Sequence, residues 1–434
     1  MRPNRLIVAI ACIALTVIFM ANPETSEAAA PATNEVLALT GAKIYIAPDE
    51  APIANGIVVM RDGKIVTVAK ANAARVPANA KVIDAAGLVV TAGFQNSHVH
   101  FMGPGWQAIA MQPAAQLQQQ VADMLTRYGV TTAVDTGSSL SNTLALRQRI
   151  EAGEVPGPRV LTAGTPFYPE NGIPFYLQHL PPVVLRGLYQ PATADEAVKL
   201  VQQNVAGGTD IIKLFTGSLL TPTDVKPMSI DTARAAATEA HRQQRLVFSH
   251  PSNTEGIQVA IAAGVDVLAH TAPNGGPWDK ALTTAMLERN MAVVPTLKLW
   301  AYELTKANVP ADAIARFTET GVLQLKAFAE AGGQVLFGTD VGYMTDYDPT
   351  EEYVLMARAG LSPGQILASL TTAPADKFGE KNRRGRVAAG MDADLVVLSA
   401  DPAEDVRNFA KVRYTIRGGR VIYPRADEGG ARRR

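Results

Sequence analysis

From residue 88 to residue 340, short apolar runs alternate with helical stretches, and this alternation restricts the fold more than any other feature of the chain. The runs lie at 88–94, 130–134, 160–163, 211–215, 246–250, 265–270, 292–295 and 334–340. Helical patterns at 143–152, 194–206, 232–243, 255–263, 281–289 and 311–331 separate most of them. Short apolar strands alternating with helices imply a parallel sheet in an α/β protein. Eight such units match a closed (β/α)8 TIM barrel. An open doubly wound sheet is the alternative, but no Gly-x-Gly-x-x-Gly follows the first run.

The two ends have a different texture. Apolar runs at 36–39, 43–46, 57–60 and 65–68 include an Asp62-Gly63 hairpin signal. Runs at 393–398, 412–416 and 421–423 surround Gly418-Gly419. Together they predict one small β-sandwich assembled from both chain ends, as residues 33–90 and 385–425, around a barrel at 91–384, with a disordered tail at 426–434. With 434 residues the chain can bury a large core. Its formal net charge of zero, without a basic patch, argues against a nucleic-acid partner.

Residues 1–32 read as a signal peptide. Arg2 and Arg5 precede an apolar stretch at 6–21, and Ala28-Ala29-Ala30 and Ala30-Pro31-Ala32 offer small-residue cleavage sites. The expectation is an exported protein, periplasmic or secreted, with no stable membrane association after cleavage. An uncleaved anchor is the alternative, although the stretch is short for a membrane span. The single cysteine, Cys12, lies in this segment, so the mature chain has neither disulfides nor a thiol nucleophile.

Four of the six histidines fall at strand ends. His98 and His100, two apart on extended backbone, point to the same side and can grip one metal ion. Lys213 lies in the fourth run, His250 and His270 end the fifth and sixth, and Asp340 ends the eighth. The C-terminal strand ends are where barrel active sites are built. Singly, His250 or Asp340 is explained as a cap and Lys213 as a snorkelling side chain. Jointly they form a metal-ligand set that suits zinc best, with manganese, cobalt or iron as options.

These residues, the run Gly93-Phe94-Gln95-Asn96-Ser97-His98-Val99-His100, Gly338-Thr339-Asp340 and the segment from Gly385 to Val397 resemble the amidohydrolase superfamily. The resemblance is to its binuclear branch, related to imidazolonepropionase and the metal-dependent dipeptidases and carboxypeptidases. It implies two divalent ions, with His98, His100 and Asp340 on one and His250 and His270 on the other. Lys213 would bridge them as an N6-carboxylated lysine. The chemistry agrees: an ammonium about 4 Å from a cation is opposed by roughly 4 kcal/mol per unit charge pair, whereas a buried neutral amine can add carbon dioxide and become an anion. A one-metal site of the deaminase type, with Lys213 a bystander, is the alternative.

The implied reaction is hydrolysis of an amide or peptide C–N bond by a metal-bridging hydroxide, with Asp340 as proton shuttle. Ser97 is expected to support the metal pair by a hydrogen bond. The aromatic segment 167–176 reads as a loop over the barrel mouth. Tyr168, Tyr176 and His179 are candidates to meet the substrate carbonyl, Ser218 to meet a polar group, and Lys226 a carboxylate. Trp106 and residues 344–347 are candidate apolar walls, and His241 a surface residue. Val134-Asp135 stands where peptidases of this branch often carry Arg-Asp, so a carboxylate contact from that arginine is not expected. The expected substrate is a small molecule or dipeptide: a dipeptide, an N-acyl amino acid or a bulky aromatic amide of the ochratoxin type. A lactone, cyclic imide or phosphoester is the competing bond, and a non-catalytic binding protein the competing class. Homo-oligomers are common in the family, and no feature here specifies a number.

Overall fold

A computed structural model describes residues 35–424. The expected signal peptide at 1–32, with Cys12, and the expected tail at 426–434 lie outside the described residues. Both chain ends feed one eight-stranded sheet. Its strands are Val36–Ile44, Ile53–Arg61, Lys64–Lys70, Ala80–Asp84, Val89–Ala92, Leu395–Leu398, Val412–Arg417 and Arg420–Tyr423. The residues alternate as a pleated strand requires. Leu37, Leu39, Val58, Met60, Val90, Leu395 and Val397 enclose one core, while Val36, Ala38, Ile57 and Val59 pack on the other side. The sheet curls until Ile65 N–H donates to Met391 O at 2.9 Å. All its strands share one hydrogen-bonded pattern. Asp62 and Gly63 have φ of 50° and 74°, the left-handed pair that a tight two-residue hairpin needs.

The apolar run at 88–94 proves to be two elements. Val89–Ala92 joins the end sheet, and Phe94–Val99 opens the barrel-like region. The break is at Gly93, where a Cβ would stand 2.3 Å from Thr131 Oγ1. His98 therefore lies inside a strand and not after one. Ala80–Asp84, which the hydropathy pattern does not reveal, is mostly exposed and pairs parallel to Val36–Thr40.

The middle of the chain is a TIM-barrel-like α/β arrangement. Phe94–Val99, Val130–Asp135 and Arg159–Thr162 form one parallel arc. Ile211–Phe215, Leu246–His250, Val267–Ala269 and Ala292–Val294 form a second. Individual main-chain bonds join the arcs: Asp210 N–H to Thr162 O (2.8 Å), Val293 N–H to Gln334 O (3.0 Å), Ser97 N–H to Phe337 O (2.8 Å) and Asp340 N–H to His98 O (2.9 Å). The expected eighth strand at 334–340 is thus not a regular strand among the described residues. Phe337 N–H turns away to Ser369 O (2.9 Å), and Asp340 adopts φ 60°. Helices such as Ala194–Ala206 and Ile230–Arg242 pack their apolar faces on the arcs. No helix among the described residues is long and apolar enough to cross a membrane.

Arg384 ties the barrel-like region to the returning sheet. It is buried and reaches Glu380 (2.9 Å), Asp392 (3.0 Å) and Asp394 (3.5 Å). Removing one partner from a buried ionic cluster leaves charges unpaired, at about 3–5 kcal/mol. Arg384→Ala is expected to lower the unfolding free energy by that amount in urea titration.

Candidate active site

Four imidazoles run as a chain across the C-terminal strand ends. Ring centroids are 5.2 Å apart for His100 and His98, 4.5 Å for His98 and His270, and 4.6 Å for His270 and His250. His250 also stacks on Phe215 at 4.7 Å. Asp340 Oδ1 lies 3.0 Å from His100 Nε2 and 3.3 Å from His98 Nε2. Lys213 is buried on the strand beside His250, its Nζ 5.8 Å from the Phe215 ring centre. The fold therefore brings together all six residues of the expected ligand set.

Close backbone approach makes this possible. At Gly338 a Cβ would meet His98 Cβ at 2.8 Å, and at Gly342, where φ is 94°, it would meet His100 O at 1.7 Å. Asn96 links the two sides by donating to Thr339 Oγ1 at 2.7 Å. His270 (φ 77°), Asp340 (φ 60°) and Thr296 (φ 44°) all adopt left-handed backbone. Such conformations cost roughly 1–3 kcal/mol each in a non-glycine residue and cluster at functional sites.

Hydrogen bonds behind the rings set their orientation. His100 Nδ1 lies 2.8 Å from Gly137 O, a pure acceptor, so this nitrogen carries the proton. Gly137 is held in turn by Asp135, which is fully buried and accepts from Gly137 N–H, Ser138, Thr143 and Thr162. His270 Nδ1 lies 2.6 Å from Thr296 Oγ1, whose hydroxyl donates to Pro295 O at 2.9 Å. The threonine oxygen thus accepts from His270. In His270 Nε2 keeps its lone pair for the interior of the site, and in His100 Nε2 is the nitrogen turned to Asp340. One layer further out, the buried Glu352 accepts from Leu297 N–H (2.9 Å) and Lys298 N–H (2.8 Å), capping the helix that begins just after Thr296.

Electrostatics favour the neutral forms of His98, His250, His270 and Lys213. Burial, reinforced by Lys213, pushes His98 and His250 down to about 3. Burial and the neighbouring histidines hold His270 well below the usual imidazole value. Burial draws Lys213 down to about 7 against the pull of Asp340. Burial opposes charge on both His100 and Asp340, yet their mutual contact raises the first, and His98 with His100 holds the second well below the usual carboxylate range.

This donor set fits a divalent metal. One potential ligand atom each from His98, His270 and Asp340 falls within 4.8 Å of the others. His98 Nδ1 is buried without a hydrogen-bond partner among the described residues. Neutral imidazole nitrogens and a carboxylate, buried together, are what a zinc-like ion binds.

The mouth departs from expectation in places. Tyr168 is buried with its ring 4.5 Å from Phe215. Tyr176 lies 6.1 Å from Tyr343, a residue that was not singled out in the sequence, and Asp340 acts on both electrostatically. His179 is exposed beyond the short helix Phe175–Leu177 and makes no contact with the cluster among the described residues. The Ser218 hydroxyl is committed to Gly172 O (2.5 Å), so it ties down the loop and is not a free donor. Trp106 packs at 4.9 Å on Phe101 in an inner core and is no wall of the mouth. Ser97 Oγ is buried with no hydrogen-bond partner among the described residues, so the expected support for the histidine pair is absent. His241 is on the surface as expected, 2.8 Å from Asp266. Sequence reasoning does not reach Thr296, Glu352 or Tyr343. Only Thr296, beside Pro295 at a strand end, carried a visible hint.

Comparison with known proteins agrees with this geometry. Residues 89–422 match the sequence profile of the amidohydrolase family. Ochratoxinase from Aspergillus niger is 25% identical over 243 residues, 52% of this chain and 49% of the relative, so the match spans about half of that protein's length. A candidate prolidase from Bifidobacterium longum superposes with a TM-score of 0.76 at 27% identity, over 90% of this chain and 95% of that one. A Xaa-Pro dipeptidase solved with bound methionine has a TM-score of 0.75 over 89% of this chain and 99% of its own, and at 21% identity it shares the fold.

Two outcomes are expected. Thr296→Val removes the acceptor that orients His270 and should weaken zinc binding about 10–100-fold in competition with a chromogenic chelator. Burial raises Glu352 to about 7, above the roughly 4.3 of an unfolded glutamate. The folded state therefore binds the extra proton between those values, and stability falls as pH rises through them. The unfolding free energy of wild type relative to Glu352→Gln should drop by about 3 kcal/mol between pH 4 and 7.5 and level off above.

Proposed function

The chain belongs to the amidohydrolase family, and from that premise we propose that it is a metal-dependent hydrolase of amide or peptide C–N bonds. The observation that carries the reading is the convergence of four histidines, Asp340 and Lys213 at one set of strand ends. His98, His100 and Asp340 would hold one divalent ion and His250 and His270 a second, with Lys213 carboxylated between them and zinc the natural metal. When bound, such ions supply Lewis acidity toward a carbonyl and acidify a water molecule. Asp340, held ionised beside His98 and His100, takes a proton from the attacking water and returns it to the departing amine. Lys213, drawn down to about 7, offers the neutral amine that carbon dioxide requires.

The aromatic mouth suits a small molecule with an apolar part, a dipeptide or an aromatic amide. The ochratoxinase and prolidase relatives support that range. The reading extends to architecture and location. The main-chain joins between the arcs support a closed eight-unit barrel at 91–384, and the curled end sheet a sandwich at 33–90 and 385–425. The positive and apolar residues at 2–21 support export.

Metal content per chain tests the site. Wild type loaded with zinc and bicarbonate should hold two ions, and Lys213→Ala one or none, with amide hydrolysis lost. Bicarbonate-free loading should reproduce part of the defect. One ion in both proteins sinks the bridged site and points to deaminase-type chemistry.

A further inference from the structure

The four histidines are not held alike. His100 and His270 are tied from behind by Gly137 O and Thr296 Oγ1, and His98 is wholly buried with Nε2 3.3 Å from Asp340. His250 has no such tether. Neither of its ring nitrogens makes a hydrogen bond among the described residues, and the side chain is only half-buried. The outer torsion of a histidine is broad and roughly two-fold, so an untied ring can turn its nitrogens away from the site.

What meets His250 instead is a ring. Phe215 lies face to face with the imidazole, the centroids 4.7 Å apart and the planes 18° from parallel. The contact is built into the sheet. Ile211–Phe215 and Leu246–His250 run parallel with His250 in register with Phe215, so the two side chains leave the same side. Tyr168 packs on the same phenyl ring at 4.5 Å. Main-chain bonds from Phe215 N–H to Phe167 O (2.7 Å) and from Phe167 N–H to Lys213 O (2.9 Å) fasten that neighbour. The chain beyond the stack has no slack either. A Cβ on Gly217 or Gly256 would stand 2.0 or 1.9 Å from Pro251 O, and Ser252 Oγ donates to Gly217 O at 2.9 Å. With both strand ends fixed, rotation of the imidazole is the remaining freedom, and the phenyl face restricts it.

We propose that Phe215 is a positioning residue for His250: its stacked ring holds the imidazole in the ligating orientation, as hydrogen bonds do for His100 and His270. This rests on the metal-site reading above and adds a residue to it. An aromatic pair is worth about threefold to tenfold in an equilibrium constant. The ion held by His250 therefore depends on Phe215 by that factor, while the ion held by His98, His100 and Asp340 does not.

The test compares wild type, Phe215→Leu and Phe215→Tyr. Leucine keeps apolar bulk and removes the ring, whereas tyrosine keeps the ring. The first readout is proton NMR of the metal-free protein, whose six histidines give few ring signals, with His250 assigned by its loss in His250→Asn. A proton above an aromatic face is shifted upfield. A His250 ring signal should therefore lie upfield in wild type and Phe215→Tyr, and return to the usual imidazole region in Phe215→Leu. The second readout is zinc titration against a chromogenic chelator with bicarbonate present. Phe215→Leu should weaken one of two ions about threefold to tenfold and leave the other unchanged, and Phe215→Tyr should restore it. A His250 signal that is not upfield in wild type, zinc affinities unchanged by Phe215→Leu, or a loss that tyrosine does not restore overturns the proposal. If wild type binds no more than one ion, the two-ion reading fails instead, and the ring signal alone decides the positioning role. Phe215→Met, unbranched and adaptable, takes the place of leucine should that variant fail to fold.

Discussion

Burying several imidazoles and a carboxylate in one place is the constraint around which this structure is organised. Polar groups out of water are costly unless each finds a partner. Here the partners are arranged in depth. Gly137 O and Thr296 Oγ1 take the outer nitrogens of His100 and His270, and Asp135 and Glu352 hold those partners in place. What is left over is a set of inward lone pairs and one negative charge, which attract a cation. The left-handed backbone at His270, Thr296 and Asp340 belongs to the same arrangement, since an unstrained strand end would not aim these side chains at a common point.

The same helix serves both the metal site and the mouth. Its first turn, capped by Glu352, follows Thr296 and so fixes the ring of His270. Its last turn carries Glu303 and Lys306 to the rim. Lys298, also in the first turn, fastens the loop that leaves Asp340 and bears Tyr343. A shift of this helix would therefore disturb the orientation of His270 and the loop after Asp340 together.

Much of the plan was legible before any coordinates. The strands at 211–215 and 246–250 and the helix at 194–206 fall where the apolar pattern places them, because each is bounded by clear turn residues and buried on a regular period. The convergence of His98, His100, Lys213, His250, His270 and Asp340 was legible because each sits in or just after an apolar run, which is local information. Less legible was the break at Gly93, where an apolar run continues across two sheets and hydropathy gives no sign of the turn. His179 looked suitable by type and proximity in sequence, yet the loop carries it outward. Ser218 looked available, yet the carbonyl of Gly172 consumes it.

What the sequence alone determined is the alternation of elements and the placing of His98, His100, Lys213, His250, His270 and Asp340 in or just after the apolar runs, since an apolar period and its end are properties of neighbouring residues. What only the tertiary structure decided is which outer groups surround the site: Thr296 and Glu352 behind His270, and Asp135 behind His100. These pairs are separated by tens of residues or meet through backbone atoms, and a carbonyl or an amide that every residue possesses leaves no mark in a sequence. Their selection depends on how helices and loops pack around the barrel-like arcs, and that is set by burial over the whole chain.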